Sequence, residues 1–460
     1  MSCHKRNWWL PCLSTLAAVT AQAGPDLLTG VLDTPGSAGL GLVARVEQTP
    51  YVGSGVRYDL VPLYLYEGSR FFVHASRFGM KLQASDKERL DFFIERRFDG
   101  LLEDDIPPEL AGLSPRSAGF DAGLSYRMRG DWGGLQLAVQ RDISNASKGN
   151  ELSLSYNYDW RSGRLALRPS LSLSWRDARL NNYYYGVRPE EATATRPAYE
   201  PGAGLNTTVG LYGSYDLTEN WRLLGGIATT RQDSKVRRSS IVRQGSDPTI
   251  SLGAVYDFGS YRDGWAGERT PTYVRVFHGK ASAEGCHLAR IMTFKCHDTN
   301  KEHPTSITGL YLGKSFVEGF NGWPLDFIGY GGVVYHDDKG LQRNGLQFDL
   351  FMKGYYYGFP WRDWVRTRVG MGFGLSIAER VPYDEVSSQA ARNRSTSRLL
   401  NYLDPTIDVN VGDIFRARSL KTTWLGVGVS HRSGIFASSQ LLGNVNGGSN
   451  FIYSYLETSF

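Results

Sequence analysis

The sequence predicts an all-β protein built from transmembrane antiparallel β-barrels, about 12 strands followed by about 8. Beyond the extreme N-terminus no window approaches ~20 uninterrupted apolar residues, which excludes membrane-spanning helices. Apolar and polar residues instead alternate over segments of ~10 residues, as they do in barrel strands. Long and short connections also alternate, as expected when loops face the cell exterior and turns face the periplasm. One barrel of about 20 strands is the alternative, because both strand totals are even.

The composition supports this class. The 460 residues include 53 Gly, 26 Tyr, 21 Phe and 11 Trp but only 6 Met, which is unlike a helical enzyme. Charged residues make up 21% and aromatic residues 13%, which excludes a disordered chain. The formal net charge is only +5 at pH 7, so no nucleic-acid partner is expected.

Residues 1–23 have the three parts of a signal peptide. The basic run His4-Lys5-Arg6 precedes a mostly apolar stretch over residues 8–19, and Ala21-Gln22-Ala23 forms a small-x-small cleavage site. We therefore predict cleavage after Ala23 and export of the remaining chain. Without Lys5 and Arg6, the mature chain has 49 basic and 46 acidic residues and a net charge of +3.

Two cysteines remain after that cleavage, Cys286 and Cys296. An exported protein with two cysteines ten residues apart most simply forms one disulfide. The alternative is a metal site that adds nearby histidines, although the cysteine spacing is not that of a zinc finger. These histidines are His278, His287, His297 and His303. We expect the disulfide, no resident metal and no cofactor.

Strand counting divides the mature chain into two barrels. Period-two alternation is clear at residues 152–158, 165–175, 204–215 and 347–357. The predicted organisation is a signal peptide at 1–23, a barrel at 24–258, a linker at 259–271 and an eight-stranded barrel at 272–460. The last predicted strand is rich in aromatic residues and ends at Phe460, a feature that the outer-membrane barrel assembly machinery recognises. The predicted location is therefore the outer membrane of a Gram-negative bacterium.

Residues 39–258 resemble the MipA/OmpV family of outer-membrane barrels. The resemblance is carried by short aromatic and glycine motifs spread over the segment. They are Pro50-Tyr51-Val52-Gly53, Val61-Pro62-Leu63-Tyr64-Leu65-Tyr66, Arg70-Phe71-Phe72, Phe78-Gly79-Met80-Lys81-Leu82, Tyr183-Tyr184-Tyr185-Gly186-Val187 and Leu252-Gly253-Ala254-Val255-Tyr256-Asp257-Phe258. The family implies a barrel linked to cell-wall maintenance through binding a lytic transglycosylase and a peptidoglycan synthase, or to adhesion and stress. It implies no catalytic residues.

The second half contains one candidate catalytic site. In the strand around Trp424-Leu425-Gly426, alternation puts His431 and Ser433 on the outward, lipid-facing side at its extracellular end. Asn450 begins the next strand and is expected beside them. A serine nucleophile with a histidine base at this height would be placed to attack an ester of lipid A.

This region resembles the PagL-type lipid A 3-O-deacylases, which are eight-stranded barrels with an outward-facing site. The resemblance rests on His431-Arg432-Ser433 and on Asn446-Gly447-Gly448-Ser449-Asn450. It implies His431 as base and Ser433 as nucleophile. Asn450 stands where the family has a carboxylate, and an amide cannot stabilise the imidazolium charge, so a large loss of rate would follow. The alternative is that these residues form a polar interfacial rim.

Two functions follow as hypotheses. The first is an envelope scaffolding or interaction role for the MipA/OmpV-like half, with periplasmic cell-wall enzymes as partners. The alternative is ester hydrolysis by the second barrel, with lipopolysaccharide or lipid A as the lipid partner. The sequence contains no phosphate-binding glycine loop and no HExxH or GxSxG motif.

Overall fold

The computed structural model describes residues 37–260, 270–439 and 441–460. The predicted signal peptide and most of the predicted linker lie outside these residues. The first sheet is an antiparallel meander of 12 strands, in which β8 is interrupted at Tyr158-Asp159. The strands are β1 (Ser37–Gln48), β2 (Val56–Glu67), β3 (Phe71–His74), β4 (Arg77–Ala84), β5 (Glu88–Arg96), β6 (Phe120–Gly130), β7 (Gly133–Asp142), β8 (Asn150–Asn157 continued by Trp160–Ser162), β9 (Leu165–Arg176), β10 (Gly204–Asp216), β11 (Trp221–Arg231) and β12 (Asp247–Ser260).

The second sheet has eight strands. Its sixth strand is interrupted at Asp404-Pro405, where the proline has no backbone N–H to donate to the ladder. The strands are β13 (Thr272–Ala281), β14 (Ser306–Val317), β15 (Leu325–Asp337), β16 (Gly345–Tyr356), β17 (Thr367–Ala378), β18 (Leu399–Leu403 continued by Thr406–Asn410), β19 (Thr423–Ser433) and β20 (Asn450–Ser459).

Each sheet closes on itself. In the first, β1 pairs with β12, with Leu42 opposite Ala254. In the second, β13 pairs with β20, with Val276 opposite Leu456. Among the described residues no strand of one sheet pairs with a strand of the other. The prediction of a 12-stranded barrel followed by an 8-stranded barrel is therefore confirmed, and the single barrel of about 20 strands is excluded.

Strand alternation separates an apolar exterior from a polar interior. In β10, Leu205 and Leu211 are exposed, whereas Asn206 and Thr208, which lie between them in the sequence, are buried. Successive side chains point to opposite faces of a strand, so only every other residue must meet lipid. This explains a mean hydropathy of −0.33 in a membrane barrel.

The interior of the second barrel is filled by ion pairs and tyrosines. Glu457 accepts hydrogen bonds from Arg275 at 2.9 Å, Arg368 at 2.8 Å and Tyr330 at 2.8 Å. Lys353 donates to Asp404 at 2.6 Å. The side chains of Arg275, Glu457, Lys353 and Asp404 are fully buried. Charges held without water need such partners, because breaking a buried pair leaves an uncompensated charge.

The connections between strands lie at two opposite ends of the barrels. We call the end with the long connections the loop end and the opposite end the turn end. Most of the regular structure outside the strands lies at the loop end, where long connections follow β1, β5, β9, β11, β13, β17 and β19. The helices are α1 (Ala178–Tyr185), α2 (Ser234–Arg237), α3 (Leu288–Met292), α4 (Tyr383–Ala390) and α5 (Val411–Ile414), with single 3₁₀ turns at Glu103–Asp105, Pro108–Leu110, Pro189–Glu191, Phe320–Gly322 and Arg418–Leu420.

None of the helices in the described ranges is long and apolar enough to cross a membrane.

Candidate functional site

The two cysteines form the predicted disulfide. Cys286 and Cys296 are bonded, with their Cα atoms 5.7 Å apart, in the long loop between β13 and β14. Helix α3 lies between them, and Cys286 is buried. The bridge therefore ties a ten-residue segment into a compact unit at the loop end of the second barrel.

The structure brings His431 and Asn450 together. The two residues are directly opposite in the β19–β20 pair, and His431 Nδ1 lies 2.7 Å from Asn450 Oδ1. The amide oxygen can only accept, so the ring nitrogen donates. A hydrogen bond on one ring nitrogen fixes the tautomer and the orientation of a histidine.

Ser433 is not joined to that pair. Its backbone lies opposite Asn401 of β18, and its Oγ accepts a hydrogen bond from the backbone N of Ile435 at 3.4 Å. Within the described residues, no hydrogen bond connects Ser433 with His431. Two residues along a strand separate their Cα atoms by about 6.6 Å, so a direct Ser–His contact requires both side chains to turn toward each other.

The outward-facing side chains of β19 are exposed in the first part of the strand and covered in its last part. Leu425 and Val427 are exposed, as the prediction of a lipid-facing side requires, but Val429 is buried and His431 and Ser433 are half-buried. The upper part of this face is therefore covered by protein rather than open to lipid.

Arg432 points into the barrel and anchors β19 to helix α4. It is buried and donates to Glu385 at 3.0 Å, to Ser376 at 2.8 Å and to the backbone carbonyl of Ser397 at 3.0 Å. The strand that carries His431 is thus held to the loop that contains α4.

A polar cavity of about 630 Å³ opens at the loop end of the second barrel. It lies between the disulfide-bonded loop and helix α4, and Asn450 lines it whereas His431 and Ser433 do not. His303, Asp384 and Ser388 also line it. Burial raises the pKa of Asp384 to about 6, although a hydrogen bond with Asn300 opposes the shift. Sequence reasoning missed this cavity, because most of its residues come from two loops without periodicity and the rest from the start of β20 and the residues before it.

The lumen of the first barrel contains a network of arginines and carboxylates. Arg97 donates to Glu151 at 2.5 Å and pairs with Asp99 and Asp121, while Arg176 lies 3.1 Å from Asp99. A cavity of about 220 Å³ runs along this network, between the arginines and a row of serines on β8 and β9. Sequence reasoning missed this network, and the charged run Glu95-Arg96-Arg97-Phe98-Asp99 is the signal that could have indicated it.

The loops of the first barrel pack into a cap over its lumen. The cap has an apolar core that includes Leu110, Leu113, Leu180 and Tyr184. Arg116 holds it with two hydrogen bonds to Glu191, at 2.8 and 2.7 Å. Burial raises the pKa of Glu191, but the hydrogen bonds from Arg116 and from the backbone N of Arg188 and Ser114 outweigh it and lower the pKa to about 2. Tyr183-Tyr184-Tyr185 belong to this packing.

At the turn end, the first barrel has a charged cleft of about 210 Å³. Basic side chains outnumber acidic ones among its lining residues. The lining includes Lys81, Lys87, Arg89, Arg127 and Arg129 together with Glu67, Asp86 and Glu88. If the long loops face the exterior, this cleft faces the periplasm.

Comparison with known proteins identifies relatives of the first barrel. Residues 40–258 match the family model described as MltA-interacting protein MipA. The MltA-interacting protein of Escherichia coli strain K12 is 27% identical over 232 residues, covering 50% of this chain and 93% of that protein. Outer membrane protein OmpV of Vibrio cholerae serotype O1 is 29% identical over 156 residues, covering 34% of this chain and 61% of that protein.

A solved structure, the FrpB iron transporter from Neisseria meningitidis (F5-1 variant), is 9% identical, covers 94% of this chain and 83% of that chain, and has a TM-score of 0.25. A similarity this low supports no conclusion. The family match ends at residue 258, before the second barrel begins, and the PagL-like assignment of that barrel stays a prediction. The protein is thus an outer-membrane β-barrel protein of a Gram-negative bacterium, and its first barrel is similar to MipA and OmpV.

Proposed function

We propose that the first barrel is an outer-membrane platform that binds a periplasmic cell-wall enzyme through its turn end. The observation that carries this proposal is the charged cleft between the β4–β5 turn and β6. Lys87 lies exposed at its rim, and the backbone N of Arg129 donates to the backbone O of Lys87 at 2.7 Å. A mainly basic surface favours a partner with an acidic patch.

The closed loop end supports a binding role over a transport role. The cap has its own apolar core, and Arg97 occupies the lumen below it with three carboxylate partners. A solute that crossed the barrel would have to displace both the cap and the ion pairs of Arg97. The similar Escherichia coli protein is named for interaction with MltA, which favours a cell-wall enzyme as the partner here as well.

A binding assay with charge-reversed variants tests the proposal. The full-length protein in detergent would be immobilised and titrated with a periplasmic lytic transglycosylase from the same bacterium. We expect Lys87→Glu with Arg129→Glu to weaken binding by about 10-fold and to reduce its salt dependence. Lys235→Glu with Arg238→Glu, which makes the same charge change at the loop end, is the matched control and should bind like wild type. Equal binding by both double variants, or no binding by wild type, would contradict the proposal.

The second candidate function is hydrolysis of a lipid A ester by the second barrel. The observation in its favour is the His431–Asn450 hydrogen bond, which orients the imidazole at the loop end. In this scheme Ser433 Oγ attacks the acyl carbonyl, His431 takes the hydroxyl proton and returns it to the leaving alkoxide, and water later releases the acyl group. The reaction requires Ser433 to leave its contact with Ile435 N and approach His431.

Mass spectrometry of lipid A tests this second candidate. Cells that overexpress the wild-type protein would be compared with cells that express Ser433→Ala or His431→Ala at matched levels. Loss of one ester-linked acyl chain only with wild type would support the enzyme. An acylation pattern that wild type leaves unchanged would exclude it.

A further inference from the structure

An apolar crevice of about 230 Å³ lies between the outer walls of the two barrels. The first barrel contributes Tyr64 and Tyr66, at outward positions of β2. The second barrel contributes Leu350 and Met352, at outward positions of β16. Outward side chains of a membrane barrel face lipid, so the crevice is a cleft in the surface that lipid covers.

Two glycines form the floor of the crevice. Gly329 and Gly331 occupy successive outward positions of β15. A Cβ at Gly329 would lie 3.9 Å from its nearest neighbour, and a Cβ at Gly331 would lie 3.6 Å from its own. The glycines therefore leave space that neither barrel fills, and the atoms that line an unfilled space lose van der Waals contacts.

The crevice is open toward the outside of the barrels. Leu350 and Phe373, which line it, are 42% and 39% exposed. A molecule in the membrane can therefore enter it without any movement of the strands.

Contacts between the barrels lie on both sides of the crevice. On the turn side, Phe316 of β14 is buried and its ring centre lies 5.9 Å from that of Phe258 of β12. On the loop side, the backbone N of Leu60 in β2 donates to the backbone O of Ser438 in the β19–β20 loop at 2.7 Å. The two walls thus face each other across a gap between two points of contact.

Lys314 is the one charged residue in this lining. It occupies an outward position of β14, opposite Thr272 at the start of β13. Its ammonium donates to the backbone O of Thr270 at 2.6 Å and to Thr272 Oγ1 at 3.4 Å, so it is directed toward the turn end. Within the described residues no carboxylate forms an ion pair with it. An ammonium has three donors, so one remains for an anion.

The crevice lies in the turn-end half of the first barrel. Ala38, which lines it, is the second residue of β1, and Tyr66 is the last but one of β2. With the long loops outside the cell, this half lies in the leaflet that faces the periplasm. That leaflet consists of glycerophospholipids, which combine an anionic phosphate with apolar acyl chains. A cation at the end of an apolar cleft matches this combination.

We propose that the crevice binds an acyl chain of a glycerophospholipid from the periplasmic leaflet, and that Lys314 binds the phosphate of the same lipid. The bound chain fills the space above Gly329 and Gly331 and so completes the packing between the two barrels. The inference depends on the location in the outer membrane. It is independent of partner binding at the turn end and of ester hydrolysis.

Native mass spectrometry of the full-length protein in detergent tests the phosphate contact, with phosphatidylglycerol as the probe. We expect wild type to retain one phosphatidylglycerol after the detergent is removed. Lys314→Met should weaken this binding about 5-fold, because one lysine near a membrane surface contributes about that factor. Lys280→Met, at an exposed outward position near the loop end of β13, is the matched control and should bind like wild type. Equal weakening by both variants, or by neither, would overturn the role of Lys314.

A variant that fills the crevice tests the acyl-chain contact. Gly331→Leu should lower phosphatidylglycerol binding at least ~10-fold, since its side chain takes the space of the acyl chain. Gly225→Leu makes the same change at an outward position of β11, where a Cβ meets nothing within 4 Å, and should bind like wild type. Equal binding by Gly331→Leu and wild type, or retention of lipid A in place of phosphatidylglycerol, would overturn the proposal.

Photo-cross-linking of the wild-type protein keeps the proposal testable if a variant does not assemble. The protein would be reconstituted into phosphatidylglycerol vesicles with a trace of the same lipid that carries a diazirine on its acyl chain. After illumination and digestion, we expect peptides with Leu350 and Met352 to be labelled at least ~5-fold more than peptides with Leu205 and Leu211, because a bound lipid stays longer at its site than a surface lipid. Leu205 and Leu211 are exposed on β10, away from the crevice. Equal labelling of the two sets would mean that only ordinary surface lipid covers the crevice, and it would overturn the proposal.

Discussion

The Arg116–Glu191 pair allows a quantitative test of how the cap is held. Both side chains are buried, and the carboxylate accepts two hydrogen bonds from the guanidinium. Replacing Arg116 by Met leaves a buried carboxylate without its cation. Loss of one partner of a buried pair costs about 3–5 kcal/mol.

The pKa of Glu191 reflects all the partners of its carboxylate. Hydrogen bonds from Arg116 and from the backbone N of Arg188 and Ser114, together with the charge of Arg116, lower it from 4.5 to about 2, and this net shift stabilises the folded cap. For a carboxyl whose folded-state pKa is lowered, this stability is present above pH 4.5 and is lost as the pH falls toward 2. The wild-type cap should therefore loosen across that acid range.

Hydrogen exchange measured by mass spectrometry is the assay. With Arg116→Met, amides in residues 101–116 and 180–191 should exchange on the order of 100-fold faster at pH 7, while strand amides of the barrel stay protected. Arg188→Met is the matched control, because the Arg188 side chain is 39% exposed and lies 3.8 Å from the same carboxylate, so it should change exchange by less than about 5-fold.

A double variant separates charge from packing. Arg116→Met with Glu191→Met should recover most of the lost protection, because an apolar pair of similar volume often replaces a buried ion pair at little cost. Cap protection that is the same in wild type and Arg116→Met would refute the reasoning, and so would a double variant less protected than the single one.

Three further predictions concern the second barrel. Glu457→Leu should lower its free energy of unfolding by about 3–5 kcal/mol, measured by urea denaturation in detergent, because Arg275 and Arg368 lose their shared carboxylate; an unchanged midpoint would contradict this. Gly309→Ala should cost about 1–3 kcal/mol in the same assay, since its Cβ would lie 2.1 Å from the ring of Phe277, whereas Gly331→Ala, with its nearest neighbour at 3.6 Å, should be close to neutral. Burial raises the pKa of Asp384 from 3.8 to about 6, so helix α4 should be more protected from exchange at pH 4 than at pH 7 by up to ~3 kcal/mol, and Asp384→Asn should abolish that difference; a difference that persists in the variant would rule out Asp384 as its source.

The strands were the most predictable part of the fold. In a barrel each strand faces lipid on one side and a polar lumen on the other, so alternation at segments such as 165–175 and 204–215 is a direct consequence of the environment. Strand order also predicted that Asn450 would lie near His431, because neighbouring strands of a meander pair side by side. The disulfide followed from export and from the number of cysteines.

The loop structures were not predictable from local pattern. Leu110, Leu113 and Leu180 lie in segments without periodicity, and their burial depends on contacts between distant loops. The surroundings of Ser433 depend on the turn that follows it, where Ile435, Phe436 and Ala437 all adopt positive φ. A β-branched residue rarely adopts that conformation, so sequence alone gives no reason to expect it.

The contact between Leu60 and Ser438 has a consequence for biogenesis. Synthesis runs from the N-terminus, so Leu60 of β2 is made 378 residues before Ser438, to whose backbone O its backbone N donates a hydrogen bond. A first barrel that closed early would leave this N–H without that partner during the interval, and unpaired strand edges are sites of misassembly. Chains cut short before residue 434 should therefore depend more on periplasmic chaperones than the full-length chain does.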